Sequence, residues 1–155
     1  MADLDSLTSM ALSLQRHVEH SNPLVWKTNE LGRMKTAEQI ERDLDASDTV
    51  VILAEAGEQE PVGMAIGTVK VREEYEPGTV GMIERLFVED RYRGRGLGRR
   101  LVNSICSFFR GRGVNRISVR YVIGNREAEG FWGCFGLKPV ITVAGADLEE
   151  LMERY

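Results

Sequence analysis

Apolar and polar positions alternate along the chain in segments that predict helices and strands, with no internal repeat, low-complexity stretch or linker between them. Leu7, Met10, Ala11, Leu14 and Val18 recur at helical spacing, and Asn22-Pro23 ends that first helix. Thr36-Ala37-Glu38-Gln39 reads as a capping box opening a second helix, with Ile40 and Leu44 on its apolar side. Three strands follow. Thr49 to Ala54 is a continuous apolar run, Val62 to Val71 lies beyond a turn at Gly57 to Pro61, and Val80 to Val88 lies beyond a loop at Glu73 to Gly78. On the third strand Val80, Met82, Glu84, Leu86 and Val88 share one face. A helix from about Leu97 to Arg110 carries Leu97, Leu101, Ile105 and Phe108 as its core stripe, and Gly111 and Gly113 stop it. Ile117, Val119, Tyr121 and Ile123 alternate with Arg116, Ser118 and Arg120 as a half-buried strand. Asn125 opens a further helix through Phe135, and Pro139 to Ala144 reads as a last strand. In the tail, Leu148, Leu151, Met152 and Tyr155 suit a helix, whereas a turn at Gly145-Ala146 would make an edge strand. Two helices, an antiparallel meander and a βαβα-type half together predict a mixed α/β sheet in one domain spanning residues 1–155.

Composition narrows the class. With 155 residues, 43% hydrophobic and 28% charged, the chain is expected to bury an ordinary globular core. Its longest apolar runs, such as Val50 to Ala54, fall far short of the ~20 residues of a membrane span. The acidic start lacks a signal-peptide pattern, and Cys106 and Cys134 are too few for a disulfide framework or a structural zinc site. A cytoplasmic protein without a metal is the expectation. The net charge of −4 conceals an asymmetry: between Arg85 and Arg126 stand eleven arginines and only two acids, Glu89 and Asp90. One basic segment in an acidic chain suggests a local anion site; the alternative is a solvated arginine-rich helix face.

The glycines within that segment favour the anion site. Gly94, Gly96 and Gly98 let the backbone turn tightly and leave its N–H groups uncovered where a helix begins, an arrangement that attracts phosphate. Arg91, Arg93, Arg95, Arg99 and Arg100 add charge around it. It is not a P-loop, because Arg99-Arg100 follows Gly98 where Lys-Ser/Thr is required. Nor is it a dinucleotide fingerprint, because Arg99 occupies the third glycine position and the next strand is flanked by Arg116 and Arg120 rather than ended by an acid.

Arg93-x-x-Gly96-x-Gly98, after a strand ending in Leu86-Phe87-Val88, resembles the pyrophosphate-binding motif of the GNAT superfamily of acyl-CoA-dependent N-acyltransferases. Asn125-x-x-Ala128-x-x-Phe131-Trp132-x-x-Phe135-Gly136-Leu137 looks like that superfamily's second motif, with Gly136-Leu137 a variant of its usual Gly-Phe ending. The succession of elements matches from about residue 4 to at least residue 144. The resemblance implies a GNAT-like fold, with acetyl-CoA or a related acyl-CoA at the splay between two neighbouring parallel strands. The backbone of Leu86, Phe87 and Val88 would pair with the pantetheine arm. Arg93 and the amides of Gly94, Arg95, Gly96, Leu97, Gly98 and Arg99 would hold the pyrophosphate. Asn125 matches the side chain that contacts a pantetheine amide, a role compatible with a plain helix N-cap.

The pattern departs from the superfamily at the catalytic acid. Trp132 stands where many members carry a tyrosine that protonates the leaving thiolate, and an indole N–H cannot serve as that acid. Tyr121 is the substitute candidate; its alternative reading is a core tyrosine on the Ile117, Val119 and Ile123 face. A thiolate can also leave unaided or through water. Glu84, two residues before the pantetheine segment, is the candidate base for the attacking amine, and burial on an apolar face would raise its pKa; the alternative is a structural partner for a nearby arginine. His17 and His20 lie near where acceptors approach in the superfamily, although lone histidines are commonly surface residues. Glu73, Glu74 and Glu76 with Tyr75 form an acidic loop that could receive a cation or simply be a solvated hairpin loop.

An N-acetyltransferase acting on a primary amine, with a small cationic amine favoured over a protein N-terminus or lysine, is therefore the expectation. A non-catalytic acyl-CoA-binding module is the alternative that Trp132 motivates. A nucleic-acid-binding protein using the Arg91–Arg126 stripe fits less well, because the chain is acidic overall and the glycines would go unexplained. Family members usually begin with a strand, for which residues 1–5 leave little room: either that strand is very short, or the start is truncated or misassigned, or another chain covers the open edge beside Thr49–Ala54, the reading that suggests a homodimer.

Overall fold

The computed structural model describes residues 2–154. Met1, and Tyr155 of the tail's helical stripe, lie outside the described residues. The chain packs as two compact units, one holding the residues up to Arg16 with Thr28–Arg120, the other His17–Lys27 with the residues from Tyr121 onward.

In the first unit, helices α1 (Ala2–Ser21, whose last turn belongs to the second unit) and α2 (Glu30–Asp45) precede strands β1 (Thr49–Ala56), β2 (Glu60–Val71) and β3 (Thr79–Val88). A 3-10 turn at Asp90–Tyr92, helix α3 (Leu97–Gly111) and the short strand β4 (Ile117–Val119) complete it. The sheet order is β1-β2-β3-β4, antiparallel across the first three strands and parallel between β3 and β4. Among the described residues no strand precedes α1, so β1 is an edge.

The sheet separates two apolar layers. Met64, Ile66 and Phe87 pack with Leu7, Met10 and Ala11 of α1 and Ile40 of α2. On the other side of β2, Gly63, Ala65 and Gly67 face α3, which buries Leu101, Val102, Ile105 and Phe109. This helix lies so close that a Cβ on Gly67 would stand 2.8 Å from Ile105, and one on Gly81 would stand 2.5 Å from the Phe109 ring. Phe109, and not the predicted Phe108, completes the stripe, because 101, 105 and 109 follow a single i, i+4 row. Phe108 is half-buried, with the Arg112 guanidinium 4.6 Å from its ring centre.

Several predicted boundaries move. Helix α2 begins six residues before Thr36, capped by Asn29, whose side chain accepts from the Gly32 N–H at 2.9 Å. The Thr36 hydroxyl instead donates back to the Gly32 carbonyl within the helix, and Leu44 is exposed. Strand β4 stops at Val119, so Tyr121 and Ile123 lie beyond it. In the second unit, α4 (Arg126–Gly133) ends two residues before Phe135, where Gly136 adopts φ +78°. The strand expected at Pro139 to Ala144 is absent: Val140, Ile141 and Val143 are 88%, 84% and 91% exposed and join no sheet. β-branched residues predict strand only where a neighbouring strand supplies the ladder. The tail adopts the helical alternative, α5 (Leu148–Met152), capped by Asp147.

The close approach of α3 makes a direct prediction. Gly81→Ala should lower stability by about 1–3 kcal/mol through overpacking against Phe109. Gly130→Ala, inside α4 with open space around the new methyl, should gain up to about 1 kcal/mol. Thermal or urea unfolding of the two variants checks the contrast; equal effects would rule out close packing as the cause.

Candidate cofactor and acceptor site

The site begins with an irregularity in β3. Along β2 the register runs from Gly67 opposite Ile83 directly to Ile66 opposite Arg85, so Glu84 is an extra residue in the ladder. A bulge of this kind bends its strand and sharpens its twist. Because one residue is added, the alternation flips across it. Gly81 and Ile83 lie toward α3 before the bulge, whereas Leu86 and Val88, opposite Ala65 and Gly63, lie toward α3 after it. The single face expected for Val80, Met82, Glu84, Leu86 and Val88 is therefore split.

Parallel pairing with β4 ends at the same place. It covers only Gly81, Ile83 and Met82 between them, against Ile117, Val119 and Ser118. From Arg85 to Val88 strand β3 keeps β2 on one side and has no ladder partner on the other among the described residues. Such an edge offers main-chain donors and acceptors to an extended ligand. Glu84 is exposed as a residue and its side chain, 27% exposed, is half-buried rather than buried as expected; its carboxylate pairs with the Lys70 ammonium at 3.1 Å. Its structural partner is thus a lysine and not an arginine.

The open edge leads directly into the glycine turn. Gly94 and Gly96 adopt φ +72° and +80°, the left-handed region that disfavours side chains. Open space surrounds both, since a Cβ on either would meet nothing within 4 Å. Gly96 is the N-cap of α3, and among the described residues no side chain caps the helix there, at the positive end of its dipole. Of the flanking arginines, Arg93 donates from Nε to the Val88 carbonyl at 3.0 Å and pairs with Asp90 at 3.0 Å. Arg91 pairs with Glu60, while Arg95, Arg99 and Arg100 are exposed.

In this setting the comparisons with known proteins are decisive. The sequence model described as the acetyltransferase (GNAT) family matches residues 13–137, most of the chain. The chain belongs to the GNAT family. A tetramutant of the BH1408 protein from Bacillus halodurans has a similar structure, with a TM-score of 0.81 at 15% identity over 95% of each chain. The aminoglycoside antibiotic 6'-N-acetyltransferase of Acinetobacter haemolyticus aligns with a TM-score of 0.65 at 12% identity, over 87% of this chain and 92% of its own. AAC(6')-Iy, in complex with the bisubstrate analogue CoA-S-monomethyl-acetylneamine, aligns with a TM-score of 0.65 at 16% identity, over 94% and 91%. No curated protein matches the sequence. Family membership carries the general GNAT chemistry, acetyl-CoA-dependent acetylation of an amine. An unpaired strand edge running into an open, positively phased glycine turn fits such a co-substrate.

The remaining GNAT-motif residues belong to the second unit. Asn125 caps α4, its side chain accepting from the Ala128 N–H at 3.1 Å, and is 9% exposed. Trp132 is 5% exposed and packs edge-on against Phe131 at 4.9 Å between ring centres, with Phe135 at 6.2 Å. Tyr121 is half-buried outside any strand. His17 stands 3.5 Å from Glu127, an ion pair when protonated, which the sequence spacing did not reveal. Among the described residues, no group of His, Cys, Asp and Glu could hold a metal, and no helix is long and apolar enough to cross a membrane.

Cys106 lies on α3 beyond its first turn, and Cys134 is the C-cap of α4. Burial on α3 pushes the Cys106 thiol above its ordinary range, lowering its thiolate fraction at any given pH, whereas Cys134 is exposed. Limited alkylation near pH 8 should therefore label Cys134 first, with Cys106 following only at higher pH or on unfolding. Peptide mapping by mass spectrometry checks the order, and equal labelling would contradict it.

Proposed function

We propose that this GNAT protein transfers the acetyl group of acetyl-CoA to the nitrogen of a primary amine, with a small cationic amine favoured as acceptor. The observation that carries the proposal is the unpaired Arg85–Val88 edge leading into the Gly94–Gly98 turn at the start of α3. In this reading the backbone of Leu86, Phe87 and Val88 aligns the pantetheine arm, and a strand N–H polarises the thioester carbonyl. The amides from Gly94 to Arg99 neutralise the pyrophosphate. Asn125 is assigned to the pantetheine amide, because the cap commits its Oδ1 and its Nδ2 is the group that can donate.

An alkyl ammonium must lose a proton before its nitrogen can attack the thioester carbon. Glu84 accepts that proton through water and passes it to solvent; the C–N bond then forms, the nitrogen gives up its second proton to water, and the C–S bond breaks. The thiolate leaves with help from water or from Tyr121, since Trp132 cannot supply a proton. Two features support a cationic acceptor: the carboxylates of Glu84, Glu73, Glu74 and Glu76, and the aminoglycoside antibiotic and the acetylneamine analogue named for two of the structurally similar proteins. The open outer edge of β1 supports association of two copies. Trp132 gives the non-catalytic acyl-CoA-binding reading its one specific support.

Thermal unfolding with acetyl-CoA, against an adenine nucleotide lacking pantetheine, tests the co-substrate. Saturation at 100 times the Kd should add about 2.7 kcal/mol, well beyond the nucleotide control; no shift with either ligand would overturn the proposal. An amine screen then separates enzyme from binding module, because the module binds without turnover. Glu84→Gln should lower the acetylation rate about 10- to 100-fold. A carboxylate base works only when deprotonated, so activity should fall at low pH in the parent, and that acidic limb should vanish in the variant. An unchanged pH–rate profile would remove Glu84 from the mechanism.

A further inference from the structure

Glu60 is remote in sequence from every motif, yet the structure joins it to the entry of the glycine turn. It is the first residue of β2, following the β1–β2 hairpin. Its carboxylate accepts from Arg91 through one oxygen and from the Tyr92 hydroxyl through the other, the latter at 3.0 Å. Beside these contacts the Glu89 N–H donates to the Val62 carbonyl at 2.9 Å. The segment from Glu89 to Tyr92 is thus fastened to the start of β2 by one main-chain and two side-chain links. The next residues are held in turn, Arg93 by Val88 and Asp90, and Arg95 with its guanidinium 5.8 Å from the centre of the Tyr92 ring.

Gly94 and Gly96 contribute no such restraint. Each is glycine because of its positive φ, and nothing stands where a side chain would be. A glycine turn has more conformational freedom than any other, so its amides converge on an anion only when its flanks are fixed. Helix α3 fixes the exit. We infer that Glu60, acting through Tyr92 and Arg91, fixes the entry and is a positioning residue for pyrophosphate binding. This rests on the acetyl-CoA reading above.

Charge and position predict opposite effects here. Glu60 is an anion close to an anion site, so by charge alone its neutralisation should tighten acetyl-CoA binding. If it positions the turn, neutralisation should weaken binding. Tyr92→Phe removes only the hydroxyl, leaving the net charge and the ring under Arg95; Glu60→Gln removes the charge. Each variant would be titrated by calorimetry with acetyl-CoA and with S-acetylpantetheine, which has the thioester arm but no pyrophosphate. The Kd for acetyl-CoA should rise about 3- to 10-fold in each variant, while that for S-acetylpantetheine stays constant. The double variant should lose less than the product of the two, because both changes break one linkage. Unchanged or tighter acetyl-CoA binding would overturn the inference, as would an equal loss with both probes, which marks general loosening. If Glu60→Gln fails to fold, the charge-neutral Tyr92→Phe decides alone. Failure of the parent chain to bind acetyl-CoA is a distinct result: it would overturn the co-substrate reading and this inference with it.

Discussion

The bulge at Glu84 is the constraint on which the rest of the first unit depends. One residue added to β3 between its pairings with Ile66 and Gly67 has two consequences at once. It exchanges the faces of the strand, so that Phe87 joins the α1 and α2 core while Leu86 and Val88 turn toward α3. It also coincides with the end of the ladder to β4, as expected of an irregularity that bends a strand away from its neighbour. The stretch without a β4 partner, which leads to the glycine turn, starts at this bulge. The chemistry proposed for the strand therefore follows from a local departure from sheet regularity.

Glycine serves two different ends around this strand. Gly63, Gly67 and Gly81 are small because α3 lies against them, and their missing side chains set the depth at which the helix docks. Gly94 and Gly96 meet nothing, and are glycine because the chain must reverse through positive φ to start that helix. The first group fixes where the axis of α3 lies; the second lets its N-terminus open outward without a capping side chain. Both are needed for first-turn amides to be available beside the end of β3.

Much of this was legible in the sequence. The α1 stripe of Leu7, Met10 and Ala11, the three-strand meander, and the glycine turn entering α3 all follow from periodicity and turn chemistry, because each signal is local. The superfamily motifs supplied what periodicity cannot, namely what the turn would hold. The misreadings are non-local. Strict alternation placed Glu84 on the same face as Leu86, since a bulge is visible only against the partner strand. Thr36 looked like a cap because its neighbours match a capping box, but Asn29 already caps the helix seven residues earlier. Val140, Ile141 and Val143 have strand chemistry without a strand partner. Glu60 carried no signal, because its partners stand 31 and 32 residues away.

The arginine-rich segment shows why a charge count overstates an anion site. Its formal excess suggested a local anion site, yet several of its guanidinium groups have internal work. Arg91 and Arg93 are tied to Glu60 and Asp90, Arg93 also holds the Val88 carbonyl, and Arg112 donates to the Ser47 carbonyl while lying over Phe108. Exposed ion pairs of this kind add little stability singly. Their value lies in placement, since they join the ends of β2 and β3 to the residues just before the turn. Arginine suits that task because its planar fork can meet a carboxylate and a carbonyl together, as Arg93 does. On the proposed reading, the amides of the turn and the dipole of α3 would carry the direct attraction for pyrophosphate, and Arg91 and Arg93 would act by holding the residues before them in place.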